Sequence, residues 1–567
     1  MAEPSQLRSA YLDELVRVDE YLAEARGRRE EPSSADPEVR RLLEAVAYLS
    51  AQTQKATYRA TFDALSSLVA QRLDFAVRPL PARGLVAASH QGKRSSLLMP
   101  QGTPLLLQLR DGRKVRVSLE VSAIVAPIAV REARVEETAA GPVLLLRVEL
   151  GPSLRELGWV CLQVDVLGDF ARSLGLLRAL RAGCTSAKLF LEPATAGESV
   201  TKRHSVPLEV SFGARAACEA DLDPAAFDVD RVLPPLEEVR AHFQFPERDL
   251  FVNLRVPANA TCEQALEAGA SHWLGIALAP DTSVGPVSPA CFRPNVLPVQ
   301  NLIRAPAEPI VDAGLKSRYA LLPPPEISAS TPDGFGHSFQ LQSVTRVVAA
   351  SLNREKTLFP TSLGDPERSY RLLRDERFGG EQHCLELGVA GTLAAPRVVR
   401  VEACWTQPGL DLAALGKVNV RPWHLATEGV TWKLLAPSAP FTPSPVEGSA
   451  EQLVELLAFS NRQRLDAQET LSVLRLLCRG SSYPWAQLLA AFGAMRSESV
   501  LSKDGRSTVR QVWLELKPTA EELAPLLEDL LERLGAVLSV WGQEPVEVKV
   551  QRPSRAEQLT RLAGSLR

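Results

Sequence analysis

Apolar residues at Leu12, Leu15, Val16, Tyr21 and Leu22 recur at the three- and four-residue spacing of one helix face. A polar break over 26–34 follows. Asp36 then reads as an N-cap with Pro37 at the first helical position, where a missing N–H costs nothing. Val39, Leu42, Leu43, Val46 and Leu49 line one face of a second helix, and Phe62, Leu65, Leu68, Val69 and Leu73 one face of a third. These stripes are narrow for long helices. They suit packing within the chain or against a partner chain, and the pattern does not choose.

From about Pro79 the period changes to two. Stretches 105–109, 114–121, 143–150 and 159–166 alternate and are rich in β-branched residues, with turns at Asp111-Gly112 and Gly151-Pro152. A helix over 169–182 is expected to close on Gly183 as a C′ residue, followed by strands at 187–191 and 206–212. Residues 220–335 are Pro-rich, which suits edge strands and long ordered connections. A second β region runs from Phe339 to about Trp405, and a Pro-rich link over 437–445 precedes a return to helices. There Ser449 with Gln452, Asp466 with Glu469, Thr519 with Glu522 and Ser554 with Glu557 fit capping boxes. Leu523, Leu526, Leu527, Leu530, Leu531 and Leu534 make the strongest apolar helix face, flanked by strands near 509–516 and 546–550.

The pattern predicts a multidomain α+β protein. Its expected parts are a helical region over 1–80, a β-rich domain with an inserted helix over 81–220, a Pro-rich connection with a second β-rich domain over 221–435, and an α+β domain over 436–567. The middle domains read as sandwich- or barrel-like. Strands and helices do not alternate regularly, which disfavours a Rossmann-type sheet. A length of 567 residues fits roughly three or four domains.

Composition narrows the functional classes. With 64 basic against 67 acidic residues the formal charge is -3, unlike the basic footprint of a nucleic-acid binder. The amino terminus lacks the basic and apolar regions of a secretory signal, and apolar runs such as 121–130 are too short to span a membrane. Eight scattered cysteines form no CxxC and read as reduced, buried thiols.

Catalytic constellations are not legible. Gly92-Lys93 is followed by Arg94 rather than Ser or Thr, so it fails as a phosphate loop, and Gly334-Phe335-Gly336 reads as a turn. His383-Cys384 would point to opposite faces of a strand, and His242, His272, His337 and His424 are isolated, reading as structural or surface residues. Ser338 and Ser481-Ser482 lack a nucleophile-elbow context, and Glu237-Glu238 and Glu521-Glu522 read as solvated helix faces. The basic clusters 110–116 and 552–567 are short; the second reads as a terminal helix packing on its own domain or docking a partner. No metal, cofactor or catalytic residue is expected.

Two segments carry more. VQNLIRAPAEPI at 299–310 and HFQFPERDLFVNL at 242–254 mix Pro, Asn, aromatic and aliphatic residues in the manner of loops docked on a sheet. With ADPEVRRLLEAVAYLSAQ at 35–52, MPQGTPL at 99–105, SRYALLPPPE at 317–326, SVTRV at 343–347 and LLAPSAPFTPSP at 434–445, they follow a colinear order. That order resembles the TssF baseplate family of bacterial type VI secretion systems. Departures lie in the shortened segment 26–34, at Cys404-Trp405-Thr406-Gln407 and at 538–542.

The resemblance implies a structural subunit without enzymatic activity. In that family two copies associate with one TssG, and the unit joins TssK, TssE and a VgrG-like spike hub, with a second copy of the same chain in each wedge. Nucleic acid is not an expected partner. The expected location is the cytoplasm, docked at the inner membrane, with membrane contact only through partners. Leu42, Leu43, Val46 and Leu49 are the candidate interface, and Asn301, Pro306, Glu308 and Pro309 the structural motif: Asn301 to satisfy buried backbone groups, the prolines to fix the path. A related contractile injection system or phage-like tail is the alternative reading. A β-sandwich carbohydrate-binding or hydrolytic protein is a remote one, since aromatic residues make up only 6% and the tryptophans are dispersed.

Overall fold

The structure, a computed structural model, describes residues 11–17, 20, 37–90, 96–150, 159–190, 205–213, 235–255, 271–316, 318–325, 339–351, 354–360, 369–375, 382–388, 396–423, 429–444, 450–460, 462, 465–501, 508–517, 523–542 and 545–551. The chain divides into two compact units, Met1–Val77 with Val446–Asn461, and Arg78–Pro445 with Arg462–Arg567.

In the first unit, the second and third expected helices are one continuous helix, Pro37–Arg72. The stretch from Thr53 to Thr61 lost its apolar stripe, which read as an end. It contains neither Gly nor Pro, so nothing interrupts the i→i−4 ladder. At 36 residues the helix is roughly 54 Å long. Ala47, Ala51 and Val69 are buried on it, and the helix Ala450–Ser460 packs alongside with Leu453, Leu456 and Phe459 buried. The expected cap at Asp36 lies outside the described residues, as do Ser449, Thr519 and Ser554.

Among the described residues the second unit has five sheets, of which three are large. Strands Arg83–His90, Val296–Gln300, Lys114–Leu119, Pro104–Leu109, Val418–Pro422 and Val430–Ala439 close a barrel. Its interior is aliphatic, including Leu105, Leu107, Val115, Val117, Leu297 and Val299. A second sheet runs in the order Phe292–Pro294, Trp159–Val164, Phe251–Arg255, Ser205–Phe212, Cys184–Phe190, Ser271–Leu278, Gly141–Leu150, Ile128–Thr138. A third surrounds Trp405 and centres on Arg397–Thr406 paired with Gln340–Ser351. Alternation on these strands matches sheets with one covered face.

The helix Phe170–Gly183 starts at Asp169, whose carboxylate accepts from the Arg172 N–H. Gly183 is its last residue, not a left-handed C′ position as expected. A β-carbon there would collide with Thr282, so glycine serves close approach.

The carboxy-terminal lobe has helices Ala467–Leu477, Trp485–Ala490 and Ala524–Gly542 and a sheet of Phe492–Leu501, Thr508–Leu516 and Val546–Gln551. Asp466 and Glu469 form the expected capping box. Leu526, Leu527, Leu530 and Leu534 are buried, as the spacing predicts.

Candidate functional site

The segment 242–254 is not a docked loop. It begins within the helix Pro235–Gln244, turns through the 3-10 helix Pro246–Asp249, and ends on the strand Phe251–Arg255. Pro246 opens the 3-10 turn at a position that needs no donor. Nearly every side chain is buried, charged ones included. Arg240 donates to the carbonyls of Arg78 (2.6 Å) and Pro443 (3.4 Å), and Gln244 to those of Pro440 (2.9 Å) and Pro81 (3.2 Å). These bonds tie the helix to the chain entering and leaving the barrel. Glu237, expected on a solvated face, is buried and lies 3.3 Å from Arg78.

Arg248 meets Glu120 at 2.8 Å, without the alignment of a hydrogen bond, and Arg83 approaches the same carboxylate at 3.7 Å. All three side chains are below 5% exposure, so two cations share one anion. Burial draws Arg83 down to about 10 and Arg240 to about 9, which leaves both charged at neutral pH.

The lobe closes over this segment. Trp485 Nε1 donates to the Phe243 carbonyl at 3.0 Å, Ser481 donates to the same oxygen, and the Phe243 and Trp485 rings lie 5.1 Å apart. The Tyr483 hydroxyl donates to Glu247. Burial pushes Glu247 up to about 7 against that bond, and burial with the neighbouring carboxylate raises Tyr483. His242 is 2% exposed and lies between Asp249 and Asp529. No sequence signal announced this, because Asp529 is 287 residues away.

Asn301 is fully buried at the point where the chain leaves the barrel strand Val296–Gln300 for the third-sheet strand Ile303–Pro306. Its Nδ2 donates to the Arg116 carbonyl at 2.7 Å, its Oδ1 accepts from the Gln407 N–H at 2.7 Å, and its own N–H donates to Ala82. One side chain therefore joins the barrel to the third sheet. Pro306 and Pro309 are exposed. They lie on an edge where residues 307–309 oppose two residues of Arg397–Thr406, a bulge that spares the sheet their missing donors. Glu308 is half-buried, and its N–H donates to the Leu322 carbonyl.

In the first unit, Leu42, Val46 and Leu49 are 66%, 56% and 61% exposed. The Leu43 side chain lies outside what the structure describes. Thr53, Ala56 and Ala60 continue the exposed four-three spacing, so among the described residues one exposed seam runs along the helix. Gly92-Lys93, 334–338, His424, 552–567 and Glu521-Glu522 also lie outside the described residues. Among those described, no group of three His, Cys, Asp or Glu side chains is placed to hold a metal ion. No described helix is long and apolar enough to cross a membrane.

Buried charge spent on joining elements, rigid sheets and an open helix seam define a multidomain scaffold. The chain belongs to the TssF family of the type VI secretion system, whose profile matches residues 21–381. The departures at 404–407 and 538–542 fall beyond that match. Among solved structures it is similar to a chain of a TssK-TssF-TssG baseplate subcomplex of the type VI secretion system, determined by cryo-electron microscopy. The identity is 18% and the TM-score 0.67, with 92% of this chain and 97% of that one covered. It is also similar to a chain of a type VI secretion system baseplate complex, at 15% identity and TM-score 0.57, covering 96% and 97%. At these identities the likeness is one of fold. No curated protein matches.

Proposed function

We propose that the chain is a structural wedge subunit of a type VI secretion baseplate, working by assembly and not by turnover. In this reading it joins TssG-like and TssK-like partners, two copies to each TssG-like chain. TssE and the spike hub complete the wedge, in the cytoplasm against the inner membrane. Family membership supports the role, and the exposed seam Leu42, Val46, Leu49 carries the assignment of a contact surface. Apolar side chains at four-three spacing on a long helix suit a helical partner, and each would gain about 1.5–3 kcal/mol on full burial.

Val46→Asp combined with Leu49→Asp tests this by coexpression with the TssG-like chain. Because both positions are exposed, helix content by circular dichroism should hold. Affinity should drop more than about 100-fold, enough to lose copurification. An intact complex would remove the seam from the interface. A collapsed helix signal would show that it packs within the chain.

A further inference from the structure

Both ring nitrogens of His242 face carboxylate oxygens, Nδ1 at 2.6 Å from Asp249 Oδ2 and Nε2 at 2.7 Å from Asp529 Oδ2. A neutral imidazole carries one N–H and satisfies one of them; with the proton on Nε2, Nδ1 faces Asp249 as a lone pair that only Arg533 Nη2, 3.3 Å away, can meet. Only the imidazolium completes both bonds. Asp249 belongs to the same segment as His242, but Asp529 sits on the helix Ala524–Gly542 of the lobe.

That helix meets the body along a charged seam. Arg178 lies 3.3 Å from Glu528 and 3.2 Å from Glu532, Arg181 is 2.8 Å from Glu532, and Arg533 is 3.4 Å from Asp249. Beside them a cavity of ≈ 220 Å³ is bordered by His242, Leu174, Leu177 and Phe212. Each of these four pairs is partly exposed and adds little, whereas His242 and Asp529 are buried. The seam therefore depends strongly on the charge at its centre.

We propose that His242 is a protonation latch that clamps the helix Ala524–Gly542 onto the body, and that loss of its proton loosens that helix. From its own helix the ring is flanked by Glu238, and from the following turn by Glu247, Arg248 and Asp249. Asp529, Glu532 and Arg533 face it from the clamped helix, and Arg178 and Arg181 border the cavity from the helix Phe170–Gly183. Burial and Arg533 pull the ring's pKa down, but the two carboxylates outweigh them and hold it above its ordinary value. Burial pushes Asp249 and Asp529 upward, yet the imidazolium and Arg533 keep both below the usual carboxylate range, so the proton belongs to the ring. A pKa raised on folding gives stabilisation that is full below the unfolded value and lost as pH rises through the folded one. The latch opens on the alkaline side.

Amide hydrogen exchange on the full chain from about pH 6 to about pH 9 tests it, with rates corrected for intrinsic exchange. Protection over 524–542, normalised to the barrel strand Pro104–Leu109, should fall by up to about tenfold per pH unit between the ordinary imidazole pKa and the raised folded one, and level off above it. In Asp529→Asn a neutral ring suffices, since Nδ1–H donates to Asp249 and Nε2 accepts from the new amide, so protection should stay level. A flat profile in the unaltered chain overturns the latch, and so does an unchanged slope in Asp529→Asn. Loss of protection in that variant at every pH, with the barrel strand still protected, overturns it as well.

Discussion

Replacing Glu120 with alanine is expected to destabilise the larger unit by about 3–5 kcal/mol, because it leaves Arg83 and Arg248 buried without their shared anion. The cost comes from the charges left behind more than from the pair's own net contribution. Two guanidinium groups below 5% exposure cannot regain water without opening the contact between the barrel and the segment 245–251. A double change, Glu120→Met with Arg248→Met, should therefore recover part of the loss, as apolar replacement of a buried pair is often near neutral. Thermal unfolding followed by intrinsic tryptophan fluorescence gives the comparison. A single variant within about 0.5 kcal/mol of the unaltered chain would mean that the charges are not confined as described.

Asn301→Ala comes second. It strands the buried Gln407 N–H, at about 1–3 kcal/mol, and removes the donor to the part-buried Arg116 carbonyl. The loss should be local before it is global. Exchange ought to rise first in 299–303 and 404–407, where the barrel hands over to the third sheet, while the aliphatic barrel interior stays protected. Asn301→Asp should be at least as damaging, since it replaces the donor to Arg116 with a second acceptor. Unchanged exchange at the junction in both variants would refute the joining role.

Much of the secondary structure was legible because its causes are local. The period-two runs became strands at 104–109, 114–119 and 141–150, and the Asp466–Glu469 box forms as read, because pleat and cap are set by residues within a few positions. Where local reading failed, the reason was physical. The gap between the second and third apolar stripes marked a change in what the helix faces, not an end of its hydrogen bonding. Gly183 looked like a cap because glycine enables both left-handed turns and close approach, and only Thr282 decides between them.

The sequence by itself determined the mixed α+β class and the family. Tertiary structure alone decided which distant strands and side chains are partners. Strands near 83–119 close a barrel with 296–300 and 418–439, and His242 meets a carboxylate 287 positions away. Periodicity and capping act over a few residues, whereas barrel closure and charge burial depend on which distant segments the whole chain brings together. A histidine or glutamate in the sequence carries no mark of the dielectric it will occupy, so Glu237 read as solvated and His242 as structural or surface until folding buried them.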